Sequence, residues 1–114
     1  MIREIIVWGD HFFSFYNQLD IKVKKKIDYV FWLIRYTDKV PIRFLKYLED
    51  TDGLYEIKVS TTFKAIRILC FFDESKLVVI VNSFFKKSKK TPKQEIELGK
   101  RLKKEYFESK KRRR

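Results

Sequence analysis

The chain has one cysteine, one histidine, two prolines and three glycines among its 114 residues, and each shortage excludes something. With Cys70 alone, no disulfide can form within the chain and no cysteine-based zinc site can be built. A reducing compartment suits such a sequence, and Cys70, set in an apolar run, reads as a small core residue. With His11 alone, neither a two-histidine ribonuclease site nor a histidine metal cluster can exist. Gly9, Gly53 and Gly99 are too scattered to make a glycine-rich phosphate loop. No apolar run reaches the ~18 residues of a membrane span, and the opening segment is charged too early to serve as a signal peptide. The reading is a cytoplasmic protein with no cofactor, no metal and no membrane partner, whose chemistry runs mainly on lysine, arginine, tyrosine and glutamate.

Aromatic residues and positive charge are what the chain has in plenty. Eleven Phe, six Tyr and two Trp in a chain that is 45% hydrophobic can fill one compact core, and the length suits one domain. The net charge is +12, and it is unevenly spread: residues 1–85 carry 13 basic and 11 acidic side chains, residues 86–114 carry 14 basic and 4 acidic. A block of that kind attracts phosphate-rich partners through counterion release. It is equally the composition of a solvated helix face ending in a basic tail.

Periodicity predicts the elements. Residues 2–8 read as a buried strand. Asp10 caps a helix over residues 11–19 that turns Phe12, Phe13, Tyr16 and Leu19 inward. Asp20 caps a second over residues 21–36, with Val23, Ile27, Val30, Phe31 and Ile34 on its apolar face. Residues 43–48 read as a further helical turn or two, and residues 49–53 as a turn. Residues 54–60 alternate, with Tyr55, Ile57 and Val59 on one side and Glu56, Lys58 and Ser60 on the other. Residues 63–72 are apolar on both faces, as in a central strand, and a hairpin loop at 73–76 leads to a last strand at 77–85. Thr91, Pro92 and Gln94 signal a helix start, with Thr91 as cap. That helix should run over residues 92–107 on a thin stripe of Ile96, Gly99, Leu102 and Tyr106. The expected fold is α+β, in the order β-α-α-β-β-β-α, with a mostly antiparallel four-stranded sheet and helices packed on one face. One domain covers residues 1–109, and residues 110–114 form a basic disordered tail.

Two places stand out for chemistry. Arg67 lies in the most apolar strand, where a charge needs a partner or an open surface. A cross-strand pair with Glu56 would satisfy it, and so would a bound anion. The second place is the run Phe84-Phe85-Lys86-Lys87-Ser88-Lys89-Lys90-Thr91-Pro92, between a strand end and a helix start. Rings interleaved with lysines are what single-stranded RNA binding uses, for stacking and for phosphate contact. A polar linker after a core strand would have the same composition.

Taken together, the segments resemble a known family. Gly53-Leu54-Tyr55-Glu56-Ile57-Lys58 is similar to a strand of the phage-derived, HigB-type toxins of the RelE superfamily. Lys64-Ala65-Ile66-Arg67-Ile68-Leu69 is similar to their next strand. The stretch from Val81 through Phe84, the lysines, Thr91 and Pro92 to Ile96 resembles their most specific run. Lys58 stands where the family usually has arginine, Ile66 where it has tyrosine, and Ser83 where it often has glycine. The resemblance covers about residues 2–108. It implies a RelE-like fold and a toxin of a type II toxin–antitoxin module that cleaves mRNA on the ribosome. It also implies a helix-turn-helix, HigA-like antitoxin as partner.

On that reading the RNA's own 2′-OH attacks the adjacent phosphate without a metal. Arg67 holds the phosphate, and Lys58 or Lys87 moves the proton, its pKa lowered by neighbouring cations. Lys86, Lys89, Lys90, Phe85 and Lys64 bind the RNA. Two alternatives remain open: a ParE-like inhibitor of DNA gyrase, and a basic nucleic-acid-binding module without catalysis.

Overall fold

The computed structural model describes residues 1–112. In chain order the elements are β1 (Glu4–Val7), α1 (His11–Tyr16), α2 (Ile21–Tyr36), β2 (Leu45–Tyr47), β3 (Leu54–Ser60), β4 (Ala65–Asp73), β5 (Leu77–Phe85) and α3 (Lys93–Arg112). The strands form one sheet in the order β1-β5-β4-β3-β2. β2 to β5 pair antiparallel in sequence, while β1 lies parallel to β5 at the far edge.

The α+β class stands, but the four-stranded sheet becomes a five-stranded mixed one. The added strand is β2, in the segment expected to be helical. Only three residues long, it is too short to show a period, and pairing with β3 decides its conformation: Leu45 faces Ile57, Lys46 faces Glu56 and Tyr47 faces Tyr55.

The helices do not share one face either. α1 and α2 cover one side of the sheet, packing Phe12, Val23, Ile27, Val30 and Ile34 against Ile57, Ile66, Ile68 and Ile80. α3 lies on the other side, with Leu102 and Tyr106 against Leu54, Leu69, Phe71 and Val79. The central strands β4 and β5 are apolar on both faces because helices cover them on both. Gly99 lets α3 approach closely: a Cβ there would lie 3.1 Å from Leu69 Cδ1 and 3.3 Å from Asn82 Oδ1.

Several local expectations change. α1 stops at Tyr16, and Phe13 is exposed rather than turned inward. Asp20 caps α2 by accepting from the Val23 amide, whereas the Asp10 side chain makes no capping bond to α1. Phe63 is outside β4, in the turn before it. α3 extends to Arg112, so residues 110–112 of the expected tail are helical. Lys110 Nζ lies 2.6 Å from the Asp73 carboxylate, which also accepts from the Tyr106 hydroxyl. The sequence shows no apolar anchor at that end because the anchor is a buried acid 37 residues away. Residues 113–114 lie outside the described residues.

A β-bulge shapes the end of the sheet nearest the start of α3. Ile68 pairs with Ser83 and Cys70 with Ile80, so Leu69 lies opposite both Val81 and Asn82. The extra residue reverses the in–out alternation of β5. After it, Asn82 and Phe84 belong to the α3 side, and Phe85 packs on Phe15 of α1.

Candidate functional site

α3 covers only part of its face of the sheet. Beyond its N-terminus the strands carry polar side chains in register. Lys58 of β3 pairs with Arg67 of β4, which pairs with Phe84 of β5, one row across the sheet. In the next row Lys46 of β2 pairs with Glu56, and Glu56 with Leu69. The period-two alternation of each strand turns these side chains to the α3 side.

Glu56 anchors the cluster and is 2% exposed. A buried carboxylate needs a donor and a counter-charge, and it has one of each. Thr91 Oγ1 donates to Oε2 at 2.5 Å, and Arg67 Nε lies 3.4 Å from Oε1. The expected ion pair between Arg67 and Glu56 is therefore present. Its geometry falls short of a hydrogen bond, and Arg67 Nε is left without one. Arg67 Nη1 donates to the Ile66 carbonyl at 3.0 Å. The closest approach to Glu56 runs through Nε, not through the paired terminal nitrogens that grip an oxyanion. Thr91, expected as a helix cap, instead ties the loop before α3 to the floor of the site. The Glu95 and Ile96 amides donate to the Pro92 carbonyl as the helix begins.

Lys58 is the titrating group that this arrangement perturbs. Partial burial, then the charges of Lys46, Arg67 and Lys86, push its pKa below the ordinary lysine value of 10.5, with Glu56 acting in opposition. Nearby, Asn82 Nδ2 donates to Glu95 Oε1 at 3.0 Å and to the Glu95 carbonyl at 3.1 Å. This pins the first turn of α3 to the bulge. Among the described residues, no group of three or more His, Cys, Asp or Glu side chains could hold a metal ion, and no helix is long and apolar enough to cross a membrane.

The structure thus brings Lys58, Arg67 and Lys86 together. Lys87, exposed in the loop beyond, does not act on Lys58; with Lys86 it lines a groove formed also by Phe63, Lys64, Ala65 and Phe85. Lys89 and Lys90 are exposed in the same loop. Lys46 was missed from sequence. Its signal was alternation with Glu56 across a strand pair, invisible once the segment was read as helical.

The family model for phage-derived, Gp49-like proteins (DUF891) matches residues 14–104, a span that includes the whole cluster. No curated protein matches the chain.

Proposed function

From the premise that the chain belongs to the Gp49-like family, a family of RelE/HigB-like toxin-type proteins, we propose that it is a toxin that cleaves mRNA on the ribosome. The observation that carries this reading is the placing of Lys58 beside Arg67, with Lys46 in the next row, on an open strip of sheet, where burial and the charges of Lys46, Arg67 and Lys86 lower the Lys58 pKa.

Each group has a task in RNA cleavage by the internal 2′-OH. Lys58, when neutral, takes the 2′-OH proton as the 2′-oxygen bonds to phosphorus. Arg67 and Lys86 hold the charge that builds on the phosphate oxygens. The bond to the 5′-oxygen breaks, and that oxygen takes up a proton, leaving a 2′,3′-cyclic phosphate and a 5′-hydroxyl. Glu56 and Thr91 position Arg67. The ribosome orients the RNA, so a sparse set of residues suffices. A helix-turn-helix antitoxin is the expected partner that silences the protein.

The purified chain incubated with programmed ribosomes tests this, with the fragment ends mapped by primer extension and their chemistry determined. Cleavage within ribosome-bound mRNA, giving those ends, is expected. Intact mRNA, with DNA synthesis halting before protein synthesis in expressing cells, would instead establish a gyrase-directed toxin.

A further inference from the structure

A second feature lies on the other side of Lys86. The turn before β4 closes tightly: the Thr61 amide donates to the Lys64 carbonyl at 2.8 Å, and the Lys64 amide donates to Thr61 Oγ1 at 3.1 Å. At its tip Phe63 is 93% exposed. Across from it stands Phe85, 39% exposed, its ring braced by Phe15 at 4.9 Å between centroids. Between them runs an open groove of about 280 Å³, lined also by Lys64, Ala65, Lys86 and Lys87. Lys64 Nζ lies over the Phe85 ring, 5.3 Å from its centroid.

We propose that this groove holds one unpaired nucleobase of the RNA next to the scissile phosphate, an inference that rests on the RNA-cleavage reading above. The lining contains two aromatic rings, three lysines and no acid. Rings supply a stacking surface that any base can use, and lysines supply partners for the phosphates on either side. The size is right for one ring system, since drug-sized ligands occupy ~300–1,000 Å³. Continuity decides the occupant. Ala65 and Lys86 both line the groove. Ala65 lies two residues before Arg67 on the same face of β4, and the Lys86 amide donates to its carbonyl at 2.8 Å, so a strand whose phosphate sits at Arg67 meets the groove at its neighbouring nucleotide. The Thr61–Lys64 turn fixes the backbone that carries Phe63 and leaves its ring exposed to meet a base.

The test uses a short single-stranded oligoribonucleotide carrying one 2-aminopurine, with 2′-deoxyribose on its 5′ side to block cleavage. Stacking quenches the fluorescence. Saturable quenching by the wild-type protein is expected. Phe63→Ala should bind roughly 5- to 150-fold more weakly, the range seen when a stacking ring is removed, and Phe63→Trp should restore binding. An abasic oligonucleotide should bind the wild type as poorly as the normal one binds Phe63→Ala. The exposure of Phe63 makes a folding defect unexpected, and a melting curve for each variant checks this. Absence of quenching with the wild type overturns the proposal, as does equal binding by Phe63→Ala. So does displacement of the oligonucleotide by an acidic peptide at lower concentration than by unlabelled RNA, which would mark a protein-docking groove. Ribosome-dependent cleavage measured in parallel separates the two ideas. Cleavage without base binding sinks only the groove, and base binding without cleavage sinks only the enzyme.

Discussion

The two faces of the sheet are built for different ends. Among the described residues, fourteen buried apolar ones form a continuous cluster under α1 and α2. Under α3 the cluster has eight, and beyond the helix start it gives way to Glu56, Lys58 and Arg67. The first face follows the ordinary logic of a core, in which stability scales with apolar area removed from water. The second accepts a buried carboxylate and crowded cations that oppose folding. Placing them on one sheet lets the sealed face offset the cost of the charged one, the pattern expected of a candidate functional site.

The largest effect should come from breaking the sealed face. Ile27 is wholly buried in it, and Ile27→Ala should cost about 2–5 kcal/mol, read from a denaturant melt. Cleavage should fall only as far as the folded fraction does. On the other face Arg67→Ala should reverse that pattern. Loss of a phosphate donor typically lowers the rate about 10²–10³-fold, and Glu56, keeping the Thr91 hydroxyl but losing its cation, should lower stability by only about 1–3 kcal/mol. A stable, fully active Arg67→Ala protein would remove both the catalytic assignment and the surface built around it.

Lys58 sharpens the comparison further, because there function and stability should move in opposite directions. Its pKa is lowered in the folded chain. Between that lowered value and the ordinary one, the unfolded chain binds more protons, so stability should rise with pH across this window. Lys58→Met should abolish that rise and increase the melting temperature at pH 7, while cleavage falls. In the wild type the cleavage rate should climb with pH to a midpoint below 10.5, and salt should shift the midpoint upward by screening the neighbouring cations.

The smallest effect lies at the far end of α3. Lys110→Ala removes one partner of Asp73 and leaves the Tyr106 hydroxyl in place. A loss of about 1 kcal/mol is expected, with cleavage unchanged. A larger loss would mean that this ion pair, rather than the apolar stripe, holds α3 to the sheet.

Much of the scaffold was legible because its signals are local. The Asp20 cap and the spacing from Val23 to Ile34 define α2, and alternation from Tyr55 to Val59 defines β3. The α3 stripe of Gly99, Leu102 and Tyr106 is buried as its spacing indicates. Arg67 was conspicuous as a charge in an apolar strand, and its Glu56 partner lay on the matching face of the preceding one. The rest of the site was hidden because its signals are not local. Lys46 depends on a three-residue strand formed only by pairing. Thr91 has the look of a helix cap, yet its hydroxyl reaches a carboxylate 35 residues away. Nothing in the lysine run distinguishes Lys86, which acts on Lys58 and lines the groove, from Lys87, which only lines the groove.

By itself, then, the sequence determined the α+β class, the long helices, the paired central strands and the concentration of positive charge toward the C-terminus, since periodicity and composition act over neighbouring residues. Tertiary structure decided the parallel seat of β1 beside β5, the helices on opposite faces and the bulge opposite Leu69. The bulge has the widest consequence. One extra residue in β5 reverses which phenylalanine faces which side, setting Phe84 beside Arg67 and Phe85 on α1. Alternation along a strand is a local property, but the point where it slips is set by the strand across from it.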